Sequence, residues 1–274
     1  MYPSRPAAAR MGEEAVRIIT DGGYAAPSGR AVKLGAELER ARRSTVSYPP
    51  EAPVPAPSTS GKVLQVEAVN ETSLVAAKRL VDAGLAPLVL NFASARHPGG
   101  GFLTGARAQE ESLCRSSGLF ACLEGDPMYA HHEARRDPLY TSWAIYSPEV
   151  PVFRGEDHRL LEAPWRAAFV TAPAPNAKVL LARAPARAPE LARALEERIA
   201  RVLAIATGHG HEALVLGAWG CGAFGNRPAL VAKLFGEALR GPFAGRFSRV
   251  IFAVLDSSDE QRFLAPFARL VTRA

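Results

Sequence analysis

The chain has 274 residues and a formal net charge of +6, with 48% hydrophobic and 22% charged residues, the balance of a soluble globular protein. No apolar run reaches the roughly 18 residues that cross a bilayer, no basic run is dense enough to grip duplex DNA, and three scattered cysteines, Cys114, Cys122 and Cys221, make neither a disulfide framework nor a zinc site. The opening MYPSRPAAARMGEE has no apolar core like that of a signal peptide, so a cytoplasmic setting is expected, and the positive charge would attract a polyanion.

Residues 1–61 read as an extension. GEEAVRIITDGG is a short helix closed by Gly22 and Gly23, and GAELERARRS is a second. Residues 48–61, YPPEAPVPAPSTSG, are too Pro-rich for a central strand or helix and read as an extended connector. The main domain is predicted over 62–274.

From Lys62 onward, strand and helix patterns alternate. KVLQVEAV is a strand, TSLVAAKRLVDAG a helix, and PLVLNFAS a fully buried strand. A helix is predicted over 106–123. TSWAIYSPEVPVF is strand-like but interrupted at Pro148, EVPVFRGEDH looks like a hairpin at a sheet edge, and RAAFVTAPAP is the next strand. PELARALEERIARVLAIATGHG is a long helix, EALVLGAW a strand, RPALVAKLFGEALRG a helix, FSRVIFAVLD a strand and SDEQRFLAPFARLV the last helix. This alternation predicts the α/β class, with a mostly parallel sheet covered on both faces. Ligands of such sheets sit beyond the carboxyl ends of the strands.

Two strands run into glycine-rich loops that open helices, residues 98–105 and 217–226 (GAWGCGAFGN). Glycine allows positive φ and close backbone approach, and successive amides beside a helix N-terminus bind anions. Together the loops could hold a diphosphate. Neither has the Lys-Ser or Lys-Thr of a GxxxxGK[ST] loop, nor the GxGxxG pattern of a first Rossmann turn. Glu110 and Glu111 fall in the first turn of the helix that follows the first loop, where the dipole alone favours acidic residues. Leu113, Cys114, Ser117, Phe120 and Ala121 share one face of that helix, which therefore packs on the sheet with its N-terminus toward the loops. Neighbouring residues project about 100° apart: one Glu can face the crevice while the other braces it, and periodicity does not say which. His131 and His132 lack the HExxH pattern and read as loop or helix-end residues. His209 and His211 read as exposed turn residues, and Trp219 as either a pocket wall or packing.

The passage PGGGFLTGARAQEES resembles the signature of poly(ADP-ribose) glycohydrolases: three glycines, a spacer of six to eight residues, then Gln-Glu-Glu. The spacer here is 102–108. LNFASARHPGGG, QEESLCRSSGL and GAWGCGAFGN resemble the bacterial-type members. The resemblance implies a macrodomain-like fold, a mixed and mostly parallel sheet between helices, that binds ADP-ribose; no residue cluster has metal-ligand spacing, so neither a metal nor another cofactor is expected. It assigns Gly99, Gly100 and Gly101 to a first diphosphate loop. Gln109, Glu110 and Glu111 match the catalytic signature, with the general acid on Glu111. Gly220, Gly222, Ala223 and Gly225 match a second phosphate loop, and Phe224 the aromatic residue that packs on the terminal ribose. Asn91 matches a ligand-contacting polar residue, and Phe252 is the candidate for the adenine pocket.

The expected activity is hydrolysis of ribose–ribose O-glycosidic bonds of poly(ADP-ribose), free or on ADP-ribosylated proteins, mainly from the chain terminus with release of ADP-ribose. A monomer with no membrane or DNA partner, serving the DNA damage response, is expected. The alternatives are a non-catalytic ADP-ribose-binding macrodomain and a hydrolase of a smaller ADP-ribose adduct. A reader needs glycine loops but no Gln-Glu-Glu beside them, so that triplet favours the enzyme.

Overall fold

Ser4 starts the first helix by accepting the Ala7 amide at 3.3 Å, and Gly22, at φ 70°, ends it by donating to Ile18 O. In the computed structural model, which describes residues 3–54 and 61–271, that helix is α1 (Arg5–Asp21), longer than the sequence pattern suggested. A small hairpin follows, β1 (Gly23–Ala25) and β2 (Ala31–Lys33), then α2 (Gly35–Arg43) and β3 (Val46–Tyr48). The rest of the chain gives β4 (Gln65–Val69), α3 (Ser73–Asp82), β5 (Pro87–Phe92), a 3-10 turn (Phe102–Thr104), α4 (Gln109–Ser116), α5 (Leu119–Leu123), α6 (Pro127–Arg135), β6 (Ala144–Arg154) and β7 (Leu160–Ala172). It continues through α7 (Ala177–Arg183), a 3-10 turn (Pro185–Arg187), α8 (Ala188–Gly208), β8 (Ala213–Leu216), α9 (Pro228–Arg240), β9 (Arg249–Ala253) and α10 (Ala265–Ala268).

The main sheet has seven strands in the order β3-β6-β7-β5-β8-β9-β4. The pairings from β7 to β4 are all parallel, and β6 runs antiparallel to both β3 and β7. The sheet is thus mixed and mostly parallel, and helices cover both faces. β5 shows why its sequence is continuously apolar. Leu88 and Leu90 enter the core on the side of α8 and α9, whereas Val89 enters the core formed with α3, α4 and α5. The two-residue period of a strand sends alternate side chains to opposite faces.

Several expectations change on contact with the fold. Residues 1–61 are not set apart from the sheet, since β3 is its edge strand and pairs with β6. The predicted connector lies partly outside the described residues, at 55–60. The EVPVFRGEDH hairpin lies beyond the stretch of β6 that β3 covers, so there β6 pairs with β7 and meets one bridge, Ser117 to Val152. Pro148 does interrupt β6, with a register shift between Ser147 and Val150. The helix predicted over 106–123 is two helices. Between them the Gly118 amide donates to Pro151 O at 2.9 Å and Ser117 bridges to Val152, long-range bonds that no local pattern announces. The last predicted helix shrinks to α10, because the Asp256 carboxylate takes the amides of Ser258, Phe263 and Leu264 and folds that segment into turns. His209 and His211 are half-buried rather than exposed, each 2.8 Å from a tyrosine hydroxyl, those of Tyr48 and Tyr146. All three cysteines are buried and free, as core packing requires.

Candidate active site

A cleft of about 310 Å³ opens at the carboxyl ends of the parallel strands, where such sheets bind ligands. The end of β5 and the first turns of α3 and α4 form one wall, and the loop after β8 forms the other. Leu255 and Phe263 also line it.

The loop after β8 is built to hold an anion. Gly220 has φ 69°, and a Cβ there would stand 2.5 Å from both Ala174 Cβ and Asn226 Nδ2. Only glycine permits this turn. Asn226 closes the loop by donating from Nδ2 to Pro175 O at 2.8 Å and to Gly220 O at 3.1 Å. Gly225 is likewise left-handed, at φ 70°. Between them, Gly222, Ala223 and Phe224 line the cleft. Among the described residues no acceptor takes their three amides. Consecutive free N–H groups along a cleft wall are an anion nest. Trp219 satisfies both readings of it: it lines the cleft, and it is fully buried with Nε1 donating to Ala172 O at 3.1 Å.

The first glycine loop does something different. The Gly101 amide donates to Glu111 Oε1 at 3.0 Å and the Gly100 amide donates to His97 O at 2.9 Å. Gly100 has φ 59°, and a Cβ there would collide with Glu111 Oε1 and lie 3.0 Å from Glu110 Oε2. The loop thus turns the Gly101 amide to a carboxylate. None of the three glycines, and neither Glu110 nor Glu111, lines this cleft; together they form a bank beside it.

The two glutamates divide as brace and free acid. Glu110 is 3% exposed; its Oε2 accepts the Ser94 amide at 2.7 Å and its Oε1 faces Asn91 Nδ2 at 3.4 Å. Burial pushes its pKa up to about 8, and the charge of Glu111 adds to this, against the lowering effect of the amides. Glu111 is held at one oxygen by Gly101, while its Oε2 is buried and has no hydrogen-bond partner. A buried orphan acceptor is costly, and a reacting group that brings a donor or shares a proton would satisfy it.

The remaining predicted residues sort by position. Gln109 faces the cleft but its amide is fully used: Oε1 accepts from Phe92 N, and Nε2 donates to Leu90 O at 2.7 Å and Ser73 Oγ at 3.1 Å. It pins the start of α4 to β5 and α3. Asn91 is fully buried beneath Glu110 and bonds Thr171 Oγ1 at 3.1 Å, so it braces the acid pair and does not reach the cleft. Phe252 is also fully buried, packed against Phe235 and Phe267. The expectation that it lines an adenine pocket fails because β9 turns Phe252 to the opposite face from Ala253, which does line the cleft. Phe92 and Phe263 are the aromatic walls the sequence reading missed. The first ends a strand at its carboxyl edge, a usable signal. The second was hidden inside a predicted helix.

The extension supports the acid pair from behind. A Cβ on Gly12 of α1 would stand 2.7 Å from Phe102 O, so the helix backbone lies directly on the turn between the glycines and the glutamates. Arg5 Nε donates to Thr104 O at 3.2 Å and Arg107 to Pro3 O at 3.3 Å. Buried Arg154 links Glu14 of α1, at 2.7 Å, to Arg115 O of α4, at 3.0 Å. Phe102, 1% exposed, contributes about 2 kcal/mol through burial and packs on Phe120 with ring centroids 4.9 Å apart. Among the described residues, no group of three or more His, Cys, Asp or Glu side chains is arranged to hold a metal ion.

A mixed α/β sheet with an anion nest and a carboxylate pair beside one carboxyl-edge cleft defines the class of α/β proteins that take an anionic ligand at their strand ends. Within that class, the family model for the catalytic domain of microbial-type PARG, the poly(ADP-ribose) glycohydrolases, matches residues 12–155. The chain belongs to this family. It is 48% identical to the poly(ADP-ribose) glycohydrolase of Thermomonospora curvata over 96% of this chain and 99% of that one, with a TM-score of 0.91. The structure of the Thermomonospora curvata enzyme bound to the inhibitor ADP-HPD is similar at a TM-score of 0.88, with 48% identity over 96% of this chain and 98% of that one. The Deinococcus radiodurans poly(ADP-ribose) glycohydrolase in complex with ADP-ribose is 41% identical over 87% of this chain and 98% of that one, at a TM-score of 0.81. Comparison with curated protein sequences gives no match.

Proposed function

We infer that this protein hydrolyses the ribose–ribose O-glycosidic bonds of poly(ADP-ribose) and releases ADP-ribose, acting mainly from the chain terminus. The observation that carries the reading is the Glu111 carboxylate, clamped at one oxygen by Gly101 and orphaned at the other, on the helix whose first turns line a cleft that is also lined by the glycine loop Gly220–Phe224.

The amides of Gly222, Ala223 and Phe224 hold the diphosphate of the terminal unit. Phe224 then packs on the attached ribose and sets its anomeric carbon toward Glu111. Protonated Glu111 gives its proton to the departing 2′ oxygen as the C–O bond breaks, and an oxocarbenium-like ribose forms. The nearby diphosphate, fixed by the second loop, stabilises that positive charge. Glu111, now ionised, accepts a proton from the water that attacks the anomeric carbon. Glu110 stays behind it, with Ser94 and Asn91 holding its oxygens.

Chromatography of a poly(ADP-ribose) digest tests this. Early ADP-ribose monomer is expected. Retention of polymer without cleavage would make the chain a reader. Cleavage only of small adducts would move it to the other alternative, and early oligomers would contradict terminal attack. A cytoplasmic monomer that serves the DNA damage response completes the proposal.

A further inference from the structure

Phe224 is the last cleft residue on the second loop, but its ring is not the end of the aromatic surface. Tyr140 lies next to it, centroids 6.0 Å apart at 47°; the Arg96 guanidinium sits over the Tyr140 ring, 6.0 Å from its centroid, and His132 packs edge-on to it at 5.5 Å. Arg96 follows Ser94, whose amide holds Glu110, on the strand-to-loop segment ahead of the first glycines. Tyr140 therefore joins Phe224 of the second loop to the segment that leads into the first, beside the cleft.

Tyr140 adopts φ 58°, a conformation costly for a bulky residue and one that clusters at functional sites. The surrounding turn enforces it. Tyr140 N donates to Asp137 O at 3.0 Å, Asn176 N to Pro138 O at 2.7 Å, and Leu139 N to Asp137 Oδ1 at 3.0 Å. Arg187 pairs with Asp137 at 3.2 Å, and buried Arg198 donates to Leu139 O. Arg96 is the opposite case. Its Nε is buried without a hydrogen-bond partner. The nearest carboxylate oxygen, Glu133 Oε2, stands at 3.5 Å, and the other oxygen of that group faces Arg136 at 3.9 Å. A cation with a loosely held counter-ion thus lies against an aromatic face that strain holds in place. Exposed Arg135, Arg136 and Lys178 make the surrounding rim positive.

If the terminal ADP-ribose fills the cleft, the scissile bond leads out past Phe224 and Glu111. The next unit carries a ribose, a flat base and a diphosphate. We propose that Arg96 and Tyr140, continuing from Phe224, form a subsite for this leaving-side nucleotide unit. Tyr140 offers its ring to the base or ribose, Arg96 offers its cation to the diphosphate, and Glu133 is the counter-ion displaced. The subsite rests on the glycohydrolase reading above.

The test compares kcat/KM for poly(ADP-ribose) with that for ADP-ribose bearing a small aryl group at C1″, which shares the cleft but has no leaving-side nucleotide. Arg96→Ala and Tyr140→Ala lower the polymer-to-aryl ratio about tenfold, and Arg96→Ala also makes the polymer rate less steep in salt. Arg96→Lys keeps the salt dependence, and Glu133→Gln raises the ratio, because Arg96 no longer has to leave a carboxylate. An unchanged ratio in Arg96→Ala, or equal losses on both substrates, overturns the subsite: equal losses would mean that these residues act only through Phe224 and the acid. Wild-type protein that cleaves the aryl compound but not the polymer would remove the parent reading and the subsite with it, whereas polymer cleavage with an unchanged variant ratio removes the subsite alone.

Discussion

Gly100 and Glu111 occupy each other's space: the glycine Cα lies so close to the carboxylate that a Cβ would collide with Oε1. The three glycines and the Gln-Glu-Glu triplet are therefore one structural unit, joined by the Gly101 amide at 3.0 Å. Its purpose is to fix a buried carboxylate with one oxygen left unpaired.

Gly100→Ala tests that unit without touching a polar group. The new methyl must displace the Glu111 carboxylate, and the left-handed backbone at φ 59° adds strain. Misplacing a catalytic group by an ångström costs on the order of a hundredfold. We expect kcat on poly(ADP-ribose) to fall by about that factor while ADP-ribose affinity stays within about tenfold, because the amide nest lies on the other loop. Loss of affinity with kcat preserved would place Gly100 in the binding surface instead.

α1 should matter to kcat in the same way. Gly12→Val puts a side chain where the helix meets Phe102 O, with the first added carbon already at 2.7 Å. The turn between glycines and glutamates must shift. The expected outcome is a kcat reduced about tenfold or more, with ADP-ribose binding measured by calorimetry little changed. Wild-type kcat in a folded variant would show that α1 does not position the acid.

Glu110 makes a prediction about stability and pH. Its pKa rises from an ordinary 4.5 to about 8 on folding, chiefly through burial. The folded state then binds the proton more tightly than the unfolded chain. This contribution to stability is fully present below the unfolded value and declines as pH rises through about 8. Urea denaturation from acid to mildly alkaline pH should show Glu110→Gln losing less stability across that window than wild type. Parallel pH dependences would mean that Glu110 is not buried as a neutral acid.

His132 titrates in the opposite sense. It is buried, its Nδ1 lies 3.3 Å from Ala95 O, and its Nε2 accepts the Thr141 amide at 3.1 Å. Burial lowers its pKa from 6.5 to about 4. Stability tied to the neutral ring is present above the unfolded value and lost as pH falls through the folded one. Ala95 sits beside Ser94, so acidification should loosen the segment that holds Glu110. Amide exchange at Ser94 and Ala95 should quicken between pH 6.5 and 4 relative to exchange in α8; uniform protection across both regions would sink the link.

Much of this was legible in the sequence, for identifiable reasons. β5 and β8 are short apolar runs that only a doubly covered sheet can bury, and the glycine and glutamate spacing marked the site. What escaped depended on distant partners. The break at Ser117 and Gly118 is made by Pro151 and Val152. Phe252 and Ala253 differ by one position, which in a strand means opposite faces. The bond from the Gly101 amide to Glu111 was not legible, because an anion and a neighbouring carboxylate both demand glycine. Tyr140 carried no pattern at all. Its place comes from a turn held by Arg187 and Arg198, from the segment after α7 and from α8.

The central claim is that binding belongs to the second loop and chemistry to Glu111. Glu111→Gln keeps the shape of the side chain and can still accept the Gly101 amide, but cannot deliver and retrieve a proton as a carboxyl group does. The direct measurement is ADP-ribose release from poly(ADP-ribose) by this variant, alongside its affinity for ADP-ribose. The account predicts no detectable turnover with affinity within about tenfold of wild type, or about 1.4 kcal/mol. Turnover near the wild-type rate would contradict it and require another proton donor at this site.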